Sequence, residues 1–178
     1  LNYVDAKLSS RIYKETGILL DEETKENPWM ISIQRMLSLS DPGDFFRKHD
    51  ELDSTEIQSE GWARLYCGKA IHQYNHRFGS YAGFTTKPGK RLNKINNKDT
   101  QELSLPWYWV ELSEFKKRLS TISQEYFISF RDITNSATNA RTGMFTIIPF
   151  YPTGNTLPII LSSLSPSYYL VLLSILNS

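Results

Sequence analysis

One cysteine in 178 residues, Cys67, excludes an internal disulfide framework and fits a reducing compartment, so a cytoplasmic location is expected. Long hydrophobic runs are missing too. The longest lies within Tyr168–Leu176, is broken by Ser174, and falls well short of the roughly 20 apolar residues that a membrane-spanning helix needs. A membrane is therefore not an expected partner. The opening residues lack the cationic, apolar and small-residue succession of a signal sequence, and no internal repeat is visible. Most telling, acidic residues are absent from Gly61 to Lys98.

What is present is a globular composition. Hydrophobic residues make up 40% and charged residues 22%, which argues against wholesale disorder, and aromatics are abundant at 13%. A chain of this length buries about 70% of its unfolded surface. That suffices for one domain with a real core, or for two very small ones.

The net charge of +1 hides a segregation along the chain. Asp21 to Glu60 carries 11 acidic residues against 4 basic ones. Gly61 to Lys98 carries 8 Lys/Arg: Arg64, Lys69, Arg77, Lys87, Lys90, Arg91, Lys94 and Lys98, joined by His72 and His76. Trp62, Tyr66, Tyr74, Phe78, Tyr81 and Phe84 are interleaved with them. A polyanion would meet point charges, guanidinium forks and stacking surfaces together there. A solvated basic loop neutralised by the acidic segment beside it is the competing reading.

Periodicity places the elements. Leu1–Thr16 has helical spacing at Val4, Leu8 and Ile12, ended by Gly17. Asp21–Glu26 reads as a loop, Trp29–Leu39 as a strand running into a turn at Asp41-Pro42-Gly43, and Asp44–Leu52 as a short surface helix. Trp62–Phe78 is ambiguous between strand and helical turn. Gly79–Ser104 has almost no periodicity and reads as a long functional loop. Strands are expected at Pro106–Val110, Tyr126–Thr134, Met144–Phe150 and Leu157–Leu161, with a turn at Pro152–Asn155 and a helix at Ser113–Leu119. A terminal helix starts near Tyr168. Strands mixed with helices without a βαβ rhythm indicate α+β. Trp29, Trp107 and Trp109 sit in apolar strands as core aromatics, whereas Trp62 could be core or stacking platform.

Catalytic patterns do not hold. Asn27-Pro28-Trp29 is similar to the Asn-Pro-Pro-aromatic loop of amino-methyltransferases, but the second proline and any Gly-rich loop for a methyl donor are missing. Asp99 with Glu114 and Lys116 mimics a metal-dependent nuclease pattern, yet Glu114 and Lys116 belong to an amphipathic helix rather than a strand. His72 and His76, four apart, lack a third metal ligand nearby, and a lone cysteine is usually a small buried hydrophobe. The chain reads as a binding module.

Four stretches carry a family resemblance. They are Asn27-Pro-Trp-Met-Ile-Ser-Ile-Gln-Arg-Met36 continuing to Arg47, then Leu65-Tyr-Cys-Gly-Lys-Ala-Ile-His-Gln-Tyr-Asn-His-Arg-Phe78. Phe130-Arg-Asp-Ile-Thr-Asn-Ser-Ala-Thr-Asn-Ala-Arg-Thr142 with Ile147-Ile-Pro149 follows, and then Gly154-Asn-Thr-Leu-Pro158 with Leu172–Ser178. In order and spacing these resemble the region after the N6-adenine methyltransferase domain in type IIG restriction-modification and phage-defence enzymes. The chain departs from that pattern at Cys67, Ala70, Asn75 and Ala140.

The resemblance implies a target recognition domain, α+β with a mixed, mainly antiparallel sheet and flanking helices, like those of type I and type IIG systems. Residues 1–26 would be a helix and acidic linker after the methyltransferase domain, 27–165 the recognition domain, and 166–178 the start of a helical spacer. A start at Leu1 and an apolar terminal helix fit a piece of a larger protein. The implied partners are double-stranded DNA and the methyltransferase domain of the same polypeptide. S-adenosylmethionine would serve that domain, and no cofactor is expected in this piece. The alternative is an interaction module that docks on its own methyltransferase domain without reading DNA.

Within this reading Lys69, His72, His76 and Arg77 position the domain on phosphates, and Arg64 and Lys98 are further DNA-binding residues. Lys87, Lys90, Arg91, Asn93, Lys94, Asn96 and Asn97 belong to the Gly79–Asn97 loop that reads bases, Arg or Lys on guanine and Asn on adenine. Arg131 and Arg141 are open between DNA contacts and internal salt bridges or caps that hold the sheet.

Overall fold

Strand β7 (Tyr126–Phe130) shows how the molecule is layered. Successive side chains of a strand point to opposite faces, and here both faces are covered. Phe127 packs into one core with Ile148, Ile159 and Leu161, while Ile128 packs into another with Ile31 and Ile160. A computed structural model describes residues 3–15, 19–40, 43–53, 61–84, 92–96, 104–120, 122, 124–135 and 142–178.

β7 belongs to a four-stranded antiparallel sheet in the order β1-β9-β7-β8, with β1 at Ile31–Gln34, β8 at Phe145–Pro149 and β9 at Ile159–Ser162. A second antiparallel sheet has the order β2-β6-β3, built from Phe46–Lys48, Tyr108–Glu111 and Trp62–Arg64. The pair β4 (Gly79–Ser80) and β5 (Asn93–Lys94) forms a small ladder of its own. Helix α1 spans Tyr3–Glu15, α2 Leu112–Arg118 and α3 Pro166–Leu176. The chain is therefore α+β with mainly antiparallel sheets.

The first core lies between the two sheets and α2. Val110, Ala63 and Leu65 from the three-stranded side meet Phe127 and Ile148, with Phe115 and Leu119 closing the end. The spacing of Phe115 and Leu119 placed them on one apolar face, and both are buried. The second core lies under α3, whose Tyr169, Leu172 and Leu173 cover Ile128 and Ile160. Polar ties fix that helix. The Tyr169 hydroxyl accepts from Ser162 N (2.9 Å), and Asn177 donates to Phe145 O (3.0 Å) while accepting from Phe145 N (3.1 Å). In α1 the helical spacing leaves Val4, Leu8 and Ile12 exposed. No helix among the described residues is long and apolar enough to cross a membrane.

Two expectations need correction. The Asp44–Leu52 segment is not a helix: β2 pairs with β6 from Phe46↔Val110 to Lys48↔Tyr108, and a single 3-10 turn, His49–Glu51, follows. Burial of Phe45 and the ladder bond from Glu111 N to Phe45 O (2.9 Å) outweigh the helical propensity of the acidic residues. The Trp29–Leu39 strand is shorter than its apolar alternation suggested, because only Ile31–Gln34 has a partner strand, and Leu37 makes a single bridge to Gly154. Residues 41 and 42 of the expected turn lie outside the described residues.

Candidate nucleic-acid interface

The ambiguous Trp62–Phe78 stretch resolves into β3, a 3-10 turn at Gly68–Ala70, and a tight reversal in which His72 and Asn75 pair across Tyr74 at φ 57°. Burial of Leu65, Tyr66 and Ile71 pins this path to the core. Gly68 is required where the turn crosses the 154–156 loop, since a Cβ there would lie 2.7 Å from the Thr156 carbonyl oxygen. The turn presents Lys69 outward.

Phe78 organises the site. Its amide donates to Ala70 O (3.0 Å) and its carbonyl accepts from Ile95 N (3.2 Å), so the ring is held between the turn and β5. Lys94 Nζ lies 5.5 Å from the ring centroid and Arg131 Cζ 5.7 Å, both in cation–π range. The His72 ring packs on Phe78 at 4.6 Å. Lys69, Lys94, Arg131 and Asn93 line an open cleft of about 540 Å³ together with Phe78 and Phe84, and among the described residues no carboxylate lines it.

Arg131 follows directly after β7. Its guanidinium donates to the carbonyls of Ile71 and Lys69, and its Nε is buried without a hydrogen-bond partner among the described residues. The neighbouring Asp132 bonds Arg35 at 3.0 Å. Arg131 thus holds the turn and faces the cleft at once. Arg141 lies outside the described residues.

The other candidates separate. Arg64 belongs to the three-stranded sheet, with its guanidinium 5.6 Å over Trp109 and donating to Ser104 O at 3.0 Å. The His76 ring leans on Tyr66, with Nδ1 3.4 Å from the hydroxyl. The two histidines therefore share no helix face, and among the described residues no three His, Cys, Asp or Glu side chains form a metal site. Arg77 N donates to Asn75 Oδ1 (2.8 Å), which closes the reversal. Asn93 spends its Nδ2 on Ala82 O (2.8 Å), fixing the turn that follows Tyr81. Asn96 is exposed at the end of β5. Lys87, Lys90, Arg91, Asn97 and Lys98 lie outside the described residues. Trp107 and Trp109 are core residues, and Trp62 is half-buried beneath Arg47 at 5.7 Å.

Electrostatics follow from this crowding. Burial, then Arg131 and Lys94, hold the His72 imidazole below the usual histidine value. Burial, then Arg77, do the same to His76. Both rings are neutral at neutral pH. Burial also pushes the Tyr66 phenol up to about 12.

A second polar cleft, about 470 Å³, is lined by Arg35, Arg118, Asp132, Asn155 and Thr156, none of them marked by a local sequence signal. Its arginines are 83 positions apart (118 − 35) and meet only through the fold. Arg118 is paired with Glu114 at 2.8 Å and Arg35 with Asp132, so this cleft is more nearly neutral than the first. A smaller cavity shares Lys69 with the first cleft and Asn155 and Thr156 with the second, giving a continuous strip. In comparisons with protein-family models, curated proteins and solved structures, nothing matches the chain.

Proposed function

We propose that the chain is the duplex-DNA recognition module of a bacterial N6-adenine methyltransferase of the restriction-modification or phage-defence type, and that it is not catalytic on its own. The observation that carries this reading is the convergence of Lys69, Lys94 and Arg131 around Phe78 on an open cleft that no carboxylate lines among the described residues. Duplex DNA needs cations to replace condensed counterions, together with polar side chains that reach base edges. The cleft supplies the first, and Asn93 in its lining and Asn155 in the adjoining cavity supply the second. The resemblance to target recognition domains supplies the rest: a separate domain binds S-adenosylmethionine and methylates adenine, in the cytoplasm, while this one selects the site.

Binding of a random-sequence duplex at several salt concentrations tests the proposal. Each phosphate neutralised contributes about −0.9 to the slope of log K against log salt. A steep slope that flattens in a Lys69→Glu/Lys94→Glu variant supports the cleft as the DNA face. Absence of binding at low salt, with tight binding to the methyltransferase domain instead, supports the docking alternative.

A further inference from the structure

The small cavity beside the cationic cleft has a lining of its own. Its volume is about 180 Å³, below the ~300 Å³ at which pockets for drug-sized ligands begin. Tyr81, Trp107 and Tyr108 give it aromatic walls, with Cys67 between them and Lys69 and Asn155 among its polar groups. The Tyr81 and Trp107 rings pack 5.7 Å apart, and each residue is only 5% exposed, so these walls are fixed. The Asn155 loop is fixed as well, through Gly154 N to Tyr66 O and Leu157 N to Gly154 O, both 2.9 Å. Burial and the neighbouring Cys67 push the Tyr81 phenol up, keeping it a hydrogen-bond donor.

We infer that this pocket takes a single nucleobase turned out of a DNA duplex whose phosphates lie in the adjoining cleft, an inference that rests on the DNA-binding reading above. Lys69 lines both spaces, so a phosphate held in the cleft sits one side chain from the pocket. A planar ring gains by stacking on aromatic walls, whatever the base. The Asn155 amide offers a donor and an acceptor to a base edge. Among the described residues no carboxylate lines the pocket to repel the attached phosphate. Extrusion costs least for a base that is already unpaired, so DNA with one such base is the preferred ligand.

The test uses the whole chain with two probes: a fully paired duplex, and the same duplex carrying one unpaired 2-aminopurine. The second binds about tenfold tighter, the size of one stacking contact, and its fluorescence is quenched on binding. Cys67 is the only thiol in the chain. Its reaction with an aromatic disulfide reagent slows in that complex and not in the complex with paired duplex. Cys67→Met, which fills the pocket, keeps the affinity for paired duplex and loses the preference. Tyr108→Ala serves as a second variant, with thermal melting as the check that each is folded. Equal affinity for both duplexes, or equal protection of Cys67 by both, overturns the pocket and leaves the cleft as a DNA site. Failure to bind either duplex at low salt overturns both proposals.

Discussion

The amide of Gly68 lies 3.4 Å from Thr156 Oγ1, and a methyl group on Gly68 would stand 2.7 Å from the Thr156 carbonyl oxygen. That carbonyl also accepts the Asp132 amide at 3.2 Å, so the 3-10 turn, the 154–156 loop and the end of β7 meet at one backbone atom. Lys69, Arg131 and Asn155 of the candidate site are carried by these segments.

Gly68→Ala therefore destabilises the fold by about 1–3 kcal/mol, because backbone rather than a flexible side chain must yield. Urea denaturation measures the loss, and a variant as stable as the parent refutes the close approach.

Truncation in the inter-sheet core is costlier. Phe115 is 2% exposed and packs against Phe150 with ring centroids 5.0 Å apart and planes tilted by 52°, so Phe115→Ala costs about 3–5 kcal/mol. Lys116→Ala, one position along α2 and exposed, stays within about 0.5 kcal/mol. Thermal melts of the two variants show whether α2 buries the face described.

Asn177 bridges α3 to β8 through Phe145 N and O, and it is buried. Replacing it by alanine removes the acceptor of Phe145 N, while Phe145 O keeps the Tyr74 amide (3.0 Å), and costs about 1–3 kcal/mol. Hydrogen exchange localises the loss: the amides of α3 and of Phe145 should exchange faster, while β2 and β3 keep their protection.

Stability depends on pH through His72 and His76. The unfolded chain takes up protons near the ordinary histidine value of 6.5, whereas both folded imidazoles resist protonation. The unfolded state thus binds more protons over the interval below that value. Stability is complete above about pH 6.5, falls as the pH drops, and levels off once the folded rings also protonate. Urea midpoints between pH 7.5 and 5.5 should fall in the parent chain and fall less in a His72→Gln/His76→Gln variant.

Lys94→Ala removes one cation from the cleft. DNA affinity should fall by a similar factor on every sequence, with the salt slope reduced by about 0.9. A loss confined to one sequence points instead to a base contact by Lys94.

Much of the sheet was legible because its strands alternate cleanly. Tyr126, Ile128 and Phe130 share the face beneath α3, as their spacing implied. The helix at Leu112–Arg118 was legible from Phe115 and Leu119 for the same reason. Phe45 and Phe46 were misread because acidic neighbours suggested a surface helix, while their rings belong to the inter-sheet core. At the site, the basic segment gave Lys69 and Lys94 directly. Arg131 was harder: adjacent Arg and Asp suggest a pair, but just past β7 they go separate ways, Asp132 to Arg35 and Arg131 to Ile71 and Phe78. Arg35, Arg118 and Asn155 carry no local signal at all, since only strand pairing brings them together.

Lys69 and Lys94 project from a turn and a two-residue strand and take no part in either hydrophobic core. Exchanging such residues typically alters stability by no more than about 0.5 kcal/mol. Natural selection can therefore rewrite what this surface prefers one residue at a time, with the scaffold untouched. Arg131 is excluded from that freedom, because replacing it also releases the carbonyls of Ile71 and Lys69. Divergent descendants of this chain should accordingly vary at the two exposed lysines and keep the arginine.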